Sequence, residues 1–224
     1  MGARIGRHLV HLDLHAGSGW NSAAGCKGSP LAYLDAAQRA GNTNFTAFFV
    51  DHDPEALSIL RKRLEFDNRL SNRVHIVRSD NEVFLRRLDT TFKGLGAYDP
   101  LKVFGSVLVD PNGLESPWEE LERVFGKYPN LDLVMRFSGT TWKRKHKSSL
   151  CKGYSPTPAQ VLRTLNRNHA IISEPVTAHQ ASVLVARNRP FKGKLPKGFH
   201  PIYSKGGIKI QEKLLFTSKE RGNL

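Results

Sequence analysis

The chain has 224 residues, with 34 Lys+Arg against 20 Asp+Glu and a formal net charge of +14. That length suits one domain with an appendage, and 39% hydrophobic residues against 24% charged exclude a disordered polyelectrolyte. No apolar run approaches the roughly 20 residues of a membrane span, and the opening MGARIGRHLVHLDL lacks a secretory apolar stretch, so a cytoplasmic protein is expected.

Residues 8–14 (HLVHLDL) predict a first strand, and 15–28 a loop rich in Gly, Ser and Asn. Ser29 and Pro30 read as an N-cap and a first helical position, and Gly41 as the stop of that helix. Residues 45–50 (FTAFFV) predict a second, buried strand. Asp53-Pro54 opens a helix that carries Leu57, Leu60 and Leu64 on one face. Residues 74–77 predict a third strand and 81–88 a short helix. A fourth strand, 103–109 (VFGSVLV), is followed by a helix at 118–125. Residues 131–137 predict a fifth strand, and 138–155 a basic loop. Thr157 and Pro158 open a helix to 166. Two more strands are expected at 170–176 and 181–186. The tail from Asn188 holds one helix, near 208–215.

Strand and helix alternate five times, which predicts an α/β fold: a mostly parallel central sheet with helices on both faces. Continuous apolar strands agree with it. Ligands of such sheets bind beyond the carboxyl ends of the strands. Here those ends carry acids: Asp13, Asp51, Asp80 and Asp110. The expected organisation is one domain over 1–187 and a basic extension over 188–224.

The first strand runs into DLHAGSG, a glycine turn that lets a ligand approach the backbone. It is neither a phosphate loop nor GxGxxG, so the acid before the glycines is the informative feature. Asp51, ending the second strand in FFVDHDP, suits acceptance of two ribose hydroxyl protons, whereas Asp53 suits a helix cap. The gap between turn and acid exceeds the usual spacing because residues 21–28 are inserted. Asp80 and Asn81 offer carboxylate and amide groups to an adenine edge, or a cap to the helix they precede. DPNG at 110–113 is a place to hold a reacting group, or simply a tight turn. Two cysteines, Cys26 and Cys151, build no disulfide framework, and no metal site is expected.

The series DLHAGSG, FFVDHDP, VRSDN and VLVDPNG resembles the class I S-adenosylmethionine-dependent methyltransferases, and its first motif is similar to that of nucleic-acid amino-methyltransferases. GSPLAYLDAA, DPNGLESPWEEL and LDLVMRFSGTTWKR resemble the three-Cys-motif partner proteins. The resemblance implies a Rossmann-like methyltransferase fold and S-adenosylmethionine as cofactor. Asp13, His15, Ala16, Gly17 and Gly19 would line its methionine part, Asp51 its ribose, and Asp80 with Asn81 its adenine. Asp110, Pro111 and Asn112 would face the methyl acceptor. Amino-methyltransferases usually carry Asp/Asn-Pro-Pro-aromatic there, the aromatic stacking on a flipped base. Asn112-Gly113 departs from that pattern, so for an amine acceptor Trp118, Phe137 or Trp142 would supply the ring.

Residues 1–135 hold 16 Lys+Arg and 17 Asp+Glu, whereas 136–224 hold 18 and 3. Such segregation points to a polyanion partner. Trp142, Lys143, Arg144, Lys145 and Lys147 follow the fifth strand directly and are the expected nucleic-acid contacts. The expected activity is methyl transfer to a base of DNA or RNA, DNA preferred and the adenine amino group first. The alternative is a methyltransferase-like nucleic-acid-binding partner without catalysis. A second protein encoded alongside is a further expected partner.

Overall fold

The computed structural model describes residues 8–22, 24–41, 44–96, 99–110, 116–138, 157–175 and 181–215. The chain forms two compact units, Met1–Leu108 with Glu119–Leu131, and Val109–Trp118 with Asp132–Leu224.

The first unit is built from β1 (His8–Asp13), the short β2 (Trp20–Asn21) and β3 (Cys26–Lys27), α1 (Ser29–Arg39), β4 (Phe45–Asp51) and α2 (Pro54–Phe66). It continues through β5 (Val74–Arg78), α3 (Asn81–Arg86), α4 (Leu88–Gly94), β6 (Val103–Val109) and α5 (Trp118–Lys127). β1 pairs in parallel with β4 and with β6, and β4 in parallel with β5. The order β6-β1-β4-β5 is the first half of a doubly wound sheet, whose strands run 3-2-1-4. The Rossmann-like fold class expected from the sequence is therefore the one found.

Successive residues of a strand face opposite sides of the sheet, and β4 shows what each side meets. Ala47 and Phe49 join the core made with Leu31 and Leu34 of α1 and Leu57, Leu60 and Leu64 of α2. Phe48 meets Phe84 of α3 at 5.7 Å between ring centroids and stacks on His75 at 4.7 Å. Helices thus cover both faces, and each fully buried leucine contributes about 1.5–3 kcal/mol.

α5 clasps this unit with polar and apolar contacts. Arg86 Nε donates to Glu120 Oε1 at 2.8 Å, and the Arg123 guanidinium donates to the Leu85 carbonyl. Asp89 accepts from Lys127 Nζ at 2.6 Å and from the Tyr128 hydroxyl at 2.7 Å. The Tyr128 ring packs edge-on against Phe92 at 5.0 Å.

The second unit contains β7 (Leu131–Ser138), α6 (Pro158–Thr164), β8 (His169–Ser173), β9 (Ala181–Arg187), β10 (Phe199–Pro201) and α7 (Lys205–Leu215). Its strands run in the order β10-β8-β9-β7, all antiparallel. Parallel strands need a crossover of about a dozen residues, and the chain between β8 and β9 is too short for one. Thr157 caps α6 through a full capping box with Gln160. Ile202, Ile210 and Leu214 bury the α7 end of the chain. Burial pulls Arg167 down to about 10 and raises the Asp132 carboxyl, which lies 3.5 Å from Arg187 Nε.

Some elements differ from the sequence expectation. Gly28, not Ser29, is the N-cap of α1, because its own N–H donates to the Gly19 carbonyl at 2.8 Å and holds it extended. The short helix at 81–88 stops at Arg86, and α4 follows it with Leu88 and Phe92 inward. The loop at 15–28 contains the β2–β3 hairpin. β10 is a three-residue edge strand containing Pro201, a pattern tolerated only at an edge. The basic segment expected at 138–155 lies outside the described residues beyond Ser138, which ends β7.

Candidate cofactor site

The carboxyl ends of β1, β4 and β6 are tied together by the chain that leaves β1. Leu14 N donates to the Leu108 carbonyl at 3.1 Å, and Ala16 N to the Val50 carbonyl at 3.0 Å. The strand therefore ends by bridging its two neighbours. Asp13, with no exposed surface, turns the chain by accepting from His15 N at 3.1 Å through Oδ1.

Gly17 sits at φ +56°, a conformation that costs glycine little, and a Cβ there would meet nothing within 4 Å. Its N–H donates to Asp51 Oδ2 at 2.8 Å. Gly19, at φ +73°, packs onto α2 so closely that a Cβ would lie 2.6 Å from Leu60 Cδ1. Open space beside Gly17 and close packing behind Gly19 make the turn a cradle with one free side.

Asp51 ends β4 and works in two directions. Oδ2 holds the glycine turn, while Oδ1 accepts from Asp53 N at 3.0 Å and lies 3.4 Å from His52 Nδ1. Asp53 has the cap role that its place before Pro54 suggested, accepting from Glu55 N at 2.8 Å and Ala56 N at 3.3 Å. Asp80 occupies the N-cap position of α3, yet its exposed side chain makes no cap hydrogen bond. Asn81 Nδ2 lies 3.0 Å from His15 Nε2. Hydrogen bonds thus join Gly17 to Asp51 and His15 to Asn81, with Ala16 in the same turn and Asp80 adjacent.

This donor set fits S-adenosylmethionine. The Asp51 carboxylate suits ribose hydroxyls, the Asp80 and Asn81 polar groups suit an adenine edge, and the open side of Gly17 suits a methionine chain against backbone.

Asp110 follows β6, in the second unit. Its Oδ1 lies 3.2 Å from Nη1 of Arg136 on β7, both side chains 39% exposed. Arg136 was missed from the sequence, where its one signal is a cation inside the apolar run LDLVMRF. Of the candidate rings, Phe137 is buried, whereas Trp118 at the head of α5 keeps an accessible part. Pro111, Asn112, Trp142, Lys143, Arg144, Lys145 and Lys147 lie outside the described residues. Among the described residues no cluster of three His, Cys, Asp or Glu side chains could hold a metal, and no helix is long and apolar enough to cross a membrane.

No protein-family model and no curated protein matches the chain. Solved structures do. Protein LPL1258 of Legionella pneumophila matches at TM-score 0.51 and 11% identity, over 83% of this chain and 78% of that one. WbdD matches at TM-score 0.50 and 13% identity, over 84% of this chain and 39% of its own. An rRNA methylase from Streptococcus thermophilus is similar at TM-score 0.46 and 12% identity, over 81% and 87%. At such identities the first two likenesses support the fold alone.

Proposed function

We propose that the chain is an S-adenosylmethionine-dependent methyltransferase acting on a base of nucleic acid, DNA before RNA, with the adenine amino group as first acceptor. One observation carries the reading. A glycine turn, a ribose-type carboxylate and an adenine-type amide meet at neighbouring strand ends, joined by the Gly17–Asp51 and His15–Asn81 hydrogen bonds. The resemblance to amino-methyltransferases and to the three-Cys-motif partner proteins agrees with it. When bound, the cofactor supplies a methyl carbon activated by a sulfonium. The chain's own residues orient: Asp51, Asp80 and Asn81 fix the nucleoside, and Asp110 accepts hydrogen bonds from the acceptor amine. The basic cluster from Lys143 to Lys147 holds phosphates, and Trp118 or Trp142 stacks the flipped base.

A second reading is a methyltransferase-like nucleic-acid-binding partner without catalysis. The Asp110–Arg136 pair favours it, because a guanidinium already engages the carboxylate that an amine would need.

Mass spectrometry of nucleosides from DNA and RNA incubated with protein and cofactor separates the two. A methylated base is expected from the wild type. Asp110→Ala is expected to slow its formation at least tenfold while S-adenosylhomocysteine affinity stays within twofold. Full activity in the variant would remove Asp110 from the reaction, and no product from the wild type would favour the second reading. Neutralising Lys143, Arg144, Lys145 and Lys147 is expected to flatten the salt dependence of nucleic-acid binding, each lost phosphate contact lowering the log–log slope by about 0.7–0.9. An identical slope would put the phosphates elsewhere.

A further inference from the structure

The inserted hairpin β2–β3 supplies none of the residues proposed for the cofactor, but it forms one wall of a cavity of about 640 Å³ in the first unit. Trp20 and Lys27, which face each other as partners across the hairpin, both line it. The opposite wall is α2. Ile59, Lys62, Arg63 and Phe66 line the cavity at i, i+3, i+4 and i+7, which is one helical face. That face is separate from the one that buries Leu57, Leu60 and Leu64. Leu31, Asp67 and Arg69 complete the lining.

Its apolar side chains are unusually open. Trp20 is 40% exposed, Ile59 44% and Phe66 88%. Single exposed apolar residues need no explanation, but three around one cavity, interleaved with cations, mark a binding surface. Three of the four lining cations are held in place. Arg63 Nη1 donates to the Ser18 carbonyl at 2.7 Å, and its guanidinium lies 5.9 Å from the Trp20 ring centroid. Lys27 and Arg69 both pair with Asp35, at 2.7 and 2.5 Å, and these hydrogen bonds hold the Asp35 carboxyl down at about 2. Two glycines permit the arrangement, since a Cβ on Gly28 would lie 2.8 Å from the Gly19 carbonyl carbon. The hairpin is therefore braced against the start of α1, and Trp20 is presented rather than loose.

Flat aromatic faces beside fixed cations match unpaired bases on a phosphate backbone: rings take the bases, and Lys62 with the braced arginines takes the charge. Of the four lining cations, Lys27 and Arg69 pair with Asp35 and Arg69 also lies 3.7 Å from Asp67, whereas Lys62 and Arg63 have no carboxylate partner among the described residues, which suits a phosphate backbone better than a protein surface of mixed apolar character. We infer that the groove between the β2–β3 hairpin and α2 binds a single-stranded segment of nucleic acid, stacking bases on Trp20 and Phe66. The inference deepens the nucleic-acid reading above and rests on it for the class of ligand. It gives the neutral half of the chain a nucleic-acid contact of its own.

The test is fluorescence anisotropy of a labelled 12-nucleotide single strand, as DNA and as RNA, titrated with the full chain. Trp20→Ala and Phe66→Ala are each expected to weaken binding about tenfold, Trp20→Phe to restore most of it, and Lys62→Glu to weaken it and lower the salt slope. Unlabelled duplex should compete poorly, because its bases are already stacked. Circular dichroism and S-adenosylhomocysteine calorimetry on the same variants should match the wild type. Affinities within twofold of wild type in both alanine variants would overturn the groove. So would a wild-type oligomer that Phe66→Glu converts to monomer with strand binding unchanged, since a second copy would then be the occupant. Failure of the wild type to bind S-adenosylhomocysteine would sink the methyltransferase reading and leave the groove standing.

Discussion

Acidification from pH 6.5 to pH 4 is expected to cost the fold about 3 kcal/mol through His11 alone. His11 is 5% exposed on β1, stacked on Tyr33 at 3.7 Å, with Nδ1 at 2.9 Å from the Ser106 hydroxyl. Burial lowers its imidazole from the ordinary 6.5 to about 3, and raises the Tyr33 phenol to about 12, so the stacked pair is neutral across the physiological range. The unfolded chain takes up a proton near pH 6.5 and the folded chain only near 3. Between those values the unfolded state binds more protons, so stability is full above 6.5 and falls as pH falls. The slope approaches about 1.4 kcal/mol per pH unit. His75, partly buried against Phe48, is lowered by burial too and adds in the same sense. Urea unfolding at pH 7, 5.5 and 4.5 checks this for the wild type and His11→Asn, whose amide can reach Ser106 but does not titrate. Equal pH slopes in the two proteins would refute it.

Asp51→Ala is expected to weaken S-adenosylhomocysteine binding about tenfold to a hundredfold, or roughly 1.4–2.7 kcal/mol. The carboxylate has two jobs, and alanine removes both. It takes away a charged acceptor for ribose hydroxyls and releases the Gly17 N–H that Oδ2 holds at 2.8 Å. Asp51→Asn separates them. Its amide oxygen can still hold Gly17, so the turn survives while the charge is lost, and its affinity should fall between the other two. Titration calorimetry measures all three proteins. Wild-type affinity in both variants would remove Asp51 from the site, and equal losses in both would assign the whole effect to charge.

The sheet was legible because its signals are local. FTAFFV and VFGSVLV are apolar throughout, as strands covered on both faces must be, and Asp53-Pro54 and Thr157-Pro158 announce helix starts by their own chemistry. Asp51 and Gly17 were legible as candidates for the same reason, since strand ends can be counted. Long-range pairing was not. Nothing near Asn81 foretells His15 Nε2, and nothing near Asp110 foretells Arg136, because each partner arrives through the sheet. The hairpin was read as mere inserted length. Its strands are two residues each, below any periodicity, and its register depends on Gly28 meeting Gly19. Phe66 was hidden differently: its α2 face reads as polar through Lys62 and Arg63, and only the cavity beside it makes its exposure informative.

The α5 clasp bears on how the chain acquires its fold during synthesis. Every residue proposed for the cofactor lies before residue 82, yet the unit that contains them is completed by Glu119–Leu131. Until that helix has left the ribosome, Asp89 lacks Lys127 and Tyr128, and Arg86 lacks Glu120. The nascent chain therefore carries every residue proposed for the cofactor well before it has the helix that closes their scaffold. α5 comes last in that unit, so its contacts with Arg86 and Asp89 can form only after the strands and turn they brace have been made.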